Sequence, residues 1–286
     1  MAKKPDKMHE MGMRMSEWLS RNDLVPFWGE GGTVQLDYRL LSEALSVPVG
    51  AGDSVQTGRF ASSLDLWVAW EFRHAGFDGV WPRINEPRVI DPEVVRALST
   101  IGKMQEELAN SVFDRIGTVD ANVMGSVYTK QIDVGMSSWL HGPELLVSTK
   151  TMSGSFGKNL ANRFEEAYGD VKNLRARYPR AAHGFLFMVN SSIVEERSAF
   201  AKAVHMLHQL SQSGDVYDAV CLLLADWTDG DASSVCVPSD YQRLVPTELS
   251  AENFFMSLST IVLRESSLDM HGPARSLREN AGGIDI

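Results

Sequence analysis

The sequence predicts an α/β protein in which helices flank a mixed sheet, with a helical region at the N-terminus. Three observations lead to this prediction. Residues 1–90 carry amphipathic helical patterns, Phe185–Val189 and Tyr217–Leu224 are short apolar stretches typical of buried strands, and a helical pattern separates the two. Strands that alternate with helices form parallel pairs joined by crossovers, whereas a hairpin contributes an antiparallel pair.

The N-terminal elements are predicted from local patterns. Amphipathic periodicity predicts helices over Met8–Arg21, Gln35–Leu45 and Ser62–His74. Residues 76–92 are rich in Gly and Pro, which predicts a loop. The sequence Asp91-Pro92-Glu93 predicts the start of a helix that runs to about Ile116, because Asp is a good N-cap and Pro suits the first helical position.

The second half begins with a predicted hairpin. Its β-rich stretches, Val123–Gly135 and Leu145–Thr151, flank a turn-like segment. A helix over Phe156–Arg177 follows, because its apolar residues recur at helical spacing on one face, at Leu160, Phe164, Ala167, Val171 and Leu174. Strand Phe185–Val189, helix Ser192–Gln212, strand Tyr217–Leu224 and helix Ala251–Leu263 complete the chain.

We divide the chain into a helical N-terminal region, residues 1–90, and an α/β core with a C-terminal helix, residues 91–286. The two parts form either separate units or one continuous domain.

Composition restricts the function classes. The chain has 286 residues, 44% of them hydrophobic and 22% charged, as in ordinary soluble proteins. It has no apolar run of the ~18 residues that span a bilayer and no apolar signal region near its N-terminus, so we expect a cytoplasmic protein without a membrane partner. The net charge is −10, but residues 123–185 contain eight Lys and Arg against five Asp and Glu. A basic face of this kind is compatible with DNA binding.

The residues with chemical potential lie on the predicted hairpin and the helix after it. A turn centred between His141 and Gly142 would place Asp133 opposite Lys150, and facing residues approach within about 5 Å at Cβ. A metal-dependent phosphodiesterase needs a carboxylate to hold the divalent metal, and a lysine near the attacking water can orient it or offset developing charge. Glu144 shares the strand face of Lys150 but lies about 20 Å from it at ~3.3 Å per residue, so we predict a surface residue at the strand end.

This pattern resembles the PD-(D/E)xK nuclease superfamily, in which an acid usually stands two residues before the lysine. Ser148 occupies that position here, within Val147-Ser148-Thr149-Lys150-Thr151. One group of type II restriction endonucleases has Ser-x-Lys at this point and takes the missing acid from the following helix. Glu165 and Glu166 stand on that predicted helix, so the resemblance, which covers residues 120–190, implies a restriction-endonuclease-like fold.

The resemblance also implies roles. Asp133 and either Glu165 or Glu166 would hold Mg²⁺, with Mn²⁺ as a substitute, and Glu165 is slightly favoured by spacing. Lys150 would position the water or stabilise the phosphate, beside Ser148. The implied partner is double-stranded DNA, and the cations of the helix are candidate phosphate contacts: Lys158, Arg163, Lys172, Arg175 and Arg177. Cutting both strands favours a homodimer, and the implied biological role is restriction or phage defence.

Two other interpretations remain at this point. The serine at position 148 is also compatible with a catalytically inactive DNA-binding or scaffold protein of the same fold. An unrelated α/β interaction protein is the third possibility. The recognition sequence, a preference for DNA over RNA, and a dimer over a tetramer do not follow from the sequence.

Overall fold

The computed structural model describes residues 8–84 and 121–284. Its helices are α1 (His9–Leu19), α2 (Tyr38–Gly50), α3 (Arg59–His74), α4 (Phe156–Arg175), α5 (Arg197–Gln212), α6 (Ser239–Gln242), α7 (Ala251–Glu265) and α8 (Gly272–Asn280). Its strands are β1 (Ala121–Met124), β2 (Thr129–Ile132), β3 (Val134–Ser138), β4 (Gly142–Met152), β5 (Ala182–Asn190), β6 (Ala219–Thr228) and β7 (Asp231–Cys236). The predicted helix from Asp91 to Ile116 lies outside the described residues.

A mixed five-stranded sheet forms the centre, in the order β3-β4-β5-β6-β7. The strands β4, β5 and β6 run parallel, while β3 and β7 are antiparallel to their neighbours. Helix α4 connects β4 to β5, and α5 connects β5 to β6. Every residue of β5 is buried, as expected for a parallel strand covered by helices on both faces. The α/β class with a flanked mixed sheet is therefore confirmed.

The helical N-terminal region shares its hydrophobic core with one face of the sheet. Trp67 of α3, Leu186 of β5 and Phe255 of α7 belong to the same buried cluster. The Trp67 ring stacks on Tyr38 and meets Phe255 edge-on. This packing places α3 directly against the sheet and brings its side chains to β4.

Helices α4 and α5 cover the opposite face. The five apolar residues predicted to share one face of α4 are all buried, which confirms that prediction (Leu160, Phe164, Ala167, Val171 and Leu174). The polar flanks of α4 are left to face the rim of the sheet and solvent. Those flanks carry the glutamates and cations that the sequence singles out.

Some elements differ from their predictions. The predicted helix Ser192–Gln212 is a 3₁₀ turn, Ser191–Val194, followed by α5. The strand β7 and the helix α8 were not predicted. Strand β7 reads Asp-Ala-Ser-Ser-Val-Cys and α8 is mostly polar, so neither carries the apolar periodicity on which the predictions depend.

The β3–β4 hairpin has a register different from the predicted one. Val134 pairs with Val147, and a bulge between Met136 and Ser137 shifts the pairing near the turn. Continuing the pairing from Val134 places Asp133 beside Ser148, so the prediction that Asp133 faces Lys150 is wrong. The turn comprises residues 139–141. The position of its centre and the bulge together move the residue opposite Asp133 by two positions, from Lys150 to Ser148.

The prediction that Glu144 is a surface residue is also wrong. It is 8% exposed, at the start of β4. Its Oε2 lies 2.8 Å from Nε2 of His271, and Ser138 donates a hydrogen bond to Oε1. Burial opposes the charge, but the bonds from His271 and Ser138 prevail and lower the pKa of Glu144. The carboxylate joins the β3–β4 turn to the start of α8.

Gly184 on β5 gives a direct test of the packing between the sheet and α7. A Cβ at this position would lie 2.6 Å from Leu258 Cδ1 and 2.9 Å from the Phe254 ring. Gly184→Ala should therefore destabilise the protein by about 1–3 kcal/mol, the usual cost of overpacking. A thermal melt checks this, with Gly214→Ala as the control because a Cβ there has no neighbour within 4 Å. Equal melting temperatures for the two variants would contradict the described packing.

Candidate active site

Lys150 lies on β4 and meets a glutamate of α4. Its Nζ is 3.4 Å from Oε1 of Glu166, whose Oε2 is 3.2 Å from Nη1 of Arg163. The charges of Lys150 and Arg163 outweigh the burial of Glu166 and lower the pKa of its carboxyl. Both Glu166 and Glu165, the neighbour favoured by spacing, are exposed on α4, but among the described ion pairs Lys150 joins Glu166 and not Glu165. The structure therefore brings Glu166 to the lysine.

The side chain of Asp133 accepts a hydrogen bond from the backbone of β4, at a position where β3 no longer pairs with that strand. The pairing of β3 with β4 ends at Val147, and beyond it the Thr149 N–H donates to Asp133 Oδ2 at 2.9 Å. The Ser148 hydroxyl donates to the same oxygen at 3.1 Å. Asp133 thus satisfies a backbone donor that β3 leaves without a ladder bond. Ser148, which stands where the usual acid would be, orients this carboxylate.

Burial raises the pKa of Asp133, although the Lys150 charge and the two hydrogen bonds oppose the shift. A partly buried carboxylate with a raised pKa is stabilised by additional positive charge, from either a cation or a proton. Such groups are common at functional sites. The raised pKa of Asp133 is therefore compatible with a bound cation as well as with a bound proton.

Asp65 of α3 is a site residue that the sequence reasoning missed. It is 6% exposed, and Thr149 Oγ1 donates to its Oδ1 at 2.5 Å. Burial and the nearby negative charge of Asp133 raise the pKa of Asp65 well above its usual range. Because side chains alternate along a strand, Thr149 projects to the face opposite Ser148 and Lys150. Asp65 therefore holds the strand from its other side.

A second lysine completes the group. Lys130 of β2 forms an ion pair with Asp170 of α4, and the Tyr128 hydroxyl donates to Asp170 Oδ1 at 3.0 Å. Burial disfavours the charged lysine, but Asp170 and the fields of Asp133 and Glu166 prevail and raise the pKa of Lys130. A narrow pocket lined by Lys130, Asp133, Ser148 and Asp170 connects these side chains.

The remaining candidate phosphate contacts occupy different surroundings. Lys172 forms an ion pair with Asp215, and Arg175 donates to both carboxylate oxygens of Asp218 at 2.9 and 2.8 Å. Arg177 lies over the Tyr178 ring. Of the cations in this set whose side chains the structure describes, Arg163 alone is joined to Lys150, through Glu166. The side chain of Lys158 lies outside the described part of the structure.

The donor set fits one kind of metal site. Within residues 8–84 and 121–284, no three His, Cys, Asp or Glu side chains are arranged to hold a metal ion. Mg²⁺, however, is usually held by one or two carboxylates, with water and substrate phosphates as the other ligands. Asp133, whose carboxyl is influenced by the Lys150 charge, and Glu166, which pairs with Lys150, are the candidate carboxylates for such a site. An all-protein cage is not formed by the described residues.

No family model, curated protein or solved structure matches this chain. Among the described helices, none has the length and apolar character needed to cross a membrane.

Proposed function

We propose that this protein is a Mg²⁺-dependent endonuclease that hydrolyses phosphodiester bonds of double-stranded DNA. The observation that supports this proposal most is the ion pair between Lys150 and Glu166. It joins the lysine of Ser-x-Lys to an acid from the following helix, as the resemblance to the PD-(D/E)xK superfamily implies. Finding this contact in the folded chain makes a chance spacing of the two residues a weaker explanation.

The finer fold assignment is part of the same proposal. We infer a restriction-endonuclease-like core made of β3, β4, α4 and β5. In that core Asp133 precedes β3, Lys150 lies on β4 and Glu166 on the crossover helix. The order acid, strand, lysine and helix acid agrees with the resemblance.

Each side chain then has a chemical role. Asp133 and Glu166 would hold the metal, Ser148 orients Asp133, and the Lys150 ammonium orients water or offsets the charge that develops on the phosphate. When bound, Mg²⁺ supplies a Lewis acid that makes water a better nucleophile and neutralises phosphate charge. Arg163 holds Glu166 from the side away from Lys150.

The cellular role belongs to the proposal as well. A type II restriction or phage-defence enzyme in the cytoplasm would act as a homodimer, because cutting two antiparallel strands requires two sites related by a two-fold axis. Mn²⁺, which accepts the same oxygen ligands, would replace Mg²⁺.

Supercoiled plasmids of varied sequence, incubated with Mg²⁺ or with EDTA, test the activity. Glu166→Gln should reduce Mg²⁺-dependent cleavage by about 10²-fold or more, as when one group that stabilises transition-state charge is removed. Glu165→Gln is the matched control, because the neighbouring side chain is exposed on the same helix, and it should cleave like the wild type. The opposite ranking of the two variants would assign the metal to Glu165.

One observation favours a second function, a catalytically inactive DNA-binding protein of the same fold. Serine replaces the usual acid, and the described residues contain no group of three metal ligands. Duplex binding without nicking, over varied sequences and with Mg²⁺ or Mn²⁺, would support this alternative.

A further inference from the structure

Asn173 of α4 holds the turn between β1 and β2. It is 4% exposed. Its Oδ1 accepts hydrogen bonds from Val127 N at 2.8 Å and Tyr128 N at 3.2 Å, and its Nδ2 donates to Tyr128 O at 2.9 Å. Its backbone carbonyl accepts a bond from Ser126 N at 2.8 Å. One buried residue therefore accepts from the N–H groups of Ser126, Val127 and Tyr128 and donates to one carbonyl of this turn.

The turn is shaped to receive this side chain. A Cβ at Gly125 would lie 2.1 Å from Asn173 Nδ2, which no side chain tolerates without a shift of the turn. The requirement for glycine here comes from close approach and not from an unusual backbone angle. The fit between Gly125 and Asn173 fixes the hairpin on α4.

This attachment matters because the hairpin is separate from the five-stranded sheet. The contacts of Asn173 and Asp170 with it lie one turn apart on α4, so they hold its turn and the start of β2 together. Lys130 follows two residues after Tyr128, and its side chain is 23% exposed. Lys130 lines the same pocket as Asp133 and Ser148, so its partly exposed side chain stands beside the candidate site.

A second cation here has a chemical use. The candidate ligands Asp133 and Glu166 and the nearby Asp170 are all acidic, and a DNA backbone that approaches them brings further negative charge. A fixed ammonium beside the carboxylates reduces that repulsion and can donate to a phosphate oxygen. In the free protein Asp170 is its partner.

We propose that Asn173 is a positioning residue that holds the β1–β2 hairpin so that Lys130 contacts a DNA backbone phosphate beside the candidate site. This rests on the DNA-binding part of the proposed function, and not on cleavage. The ligand class is the phosphodiester backbone of duplex DNA.

The test is the salt dependence of binding to a short fluorescein-labelled DNA duplex, measured by anisotropy with Ca²⁺ in place of Mg²⁺. Each phosphate contact contributes about 0.9 to the slope of log K against log salt concentration for duplex DNA. Lys130→Met should lower the slope by about that amount. Asn173→Ala should lower it equally, and the double variant should lower it no further.

Two further variants keep the test decisive. Gly125→Ala disturbs the same fit from the hairpin side, so it should reproduce the effect of Asn173→Ala. Arg180→Gln removes an exposed cation that precedes β5 and is paired with Glu265. This variant should leave the slope unchanged. Circular dichroism melts establish that each variant is folded at the temperature of the assay.

The outcomes separate this inference from the proposed function. An unchanged slope in Lys130→Met overturns the phosphate contact, and an unchanged slope in both Asn173→Ala and Gly125→Ala overturns the positioning role. If the binding slopes change as expected but the wild type does not cleave plasmid, the inference about Lys130 and Asn173 is supported and the nuclease activity is rejected. Failure of the wild type to bind the duplex at all would reject both.

Discussion

Lys150→Met should abolish DNA cleavage and leave the fold intact. The substitution keeps an unbranched side chain that matches the aliphatic part of lysine, and it removes the ammonium that lies 3.4 Å from Glu166. Loss of one pre-organised group that stabilises developing charge costs about 10²–10³-fold in rate, and a group that also orients the nucleophile should cost at least as much. The measurement is plasmid cleavage under single-turnover conditions with saturating Mg²⁺.

The control for Lys150→Met is Lys202→Met. Lys202 is an exposed lysine on α5, a helix that carries no residue of the candidate site. Its removal should change neither cleavage nor the melting temperature appreciably. Glu166 retains Arg163 when Lys150 is replaced, so the glutamate is not left without a partner. Wild-type cleavage by Lys150→Met would exclude this lysine from the chemistry.

Asp133→Asn should abolish metal-dependent cleavage and at the same time raise the melting temperature at neutral pH. The amide oxygen can accept both hydrogen bonds, from Ser148 and from the Thr149 N–H. The negative charge disappears, together with its repulsion of Asp65. Residues that serve function at a cost in stability have this signature, because the folded chain is more stable when they are neutralised.

The gain in stability should depend on pH in a defined direction. Because the pKa of Asp133 is higher in the folded than in the unfolded chain, its ionisation destabilises the fold. The penalty is absent below the unfolded value of about 3.9, grows as the pH rises towards the folded value, and is complete above it. The melting temperature of the variant should therefore exceed that of the wild type by a margin that grows as the pH rises, measured in buffer containing EDTA.

Asp240→Asn provides the comparison for this pH dependence. The Asp240 side chain is 85% exposed, so its replacement should produce no comparable difference at any pH. A melting temperature of Asp133→Asn below that of the wild type at neutral pH would contradict the electrostatic description of the site.

Much of the fold follows from periodicity. The apolar face of α4 and the buried strands β5 and β6 were predictable because burial forces a regular spacing of apolar residues. The hairpin register was not, since a bulge and the exact turn centre decide it and neither leaves a clear pattern in the residues. Strand β7 escaped prediction because an exposed polar edge strand lacks the alternation of a half-buried one.

The site was predictable only where the resemblance supplied a pattern. It pointed to Lys150 and the pair Glu165–Glu166, but the choice of Glu166 depends on how α4 is rotated against β4. Asp65 and Lys130 become neighbours of the site through tertiary packing. A carboxylate within the apolar run Leu64-Asp65-Leu66-Trp67 was nevertheless a usable signal, because acids are seldom buried without a specific partner.

The hydrogen bond between Thr149 and Asp65 has a consequence for inactivation. This bond fixes β4 on the sheet face that packs against α3. The residues on either side of Thr149 make the other contacts: Ser148 donates to Asp133, and Lys150 pairs with Glu166. The geometry around Lys150 thus depends on both helical layers, and local opening of either one releases it. Proteins open locally at lower free energy than they unfold globally. On heating, the proposed cleavage activity should therefore be lost once the N-terminal helices detach from the sheet, even where the parallel strands remain paired.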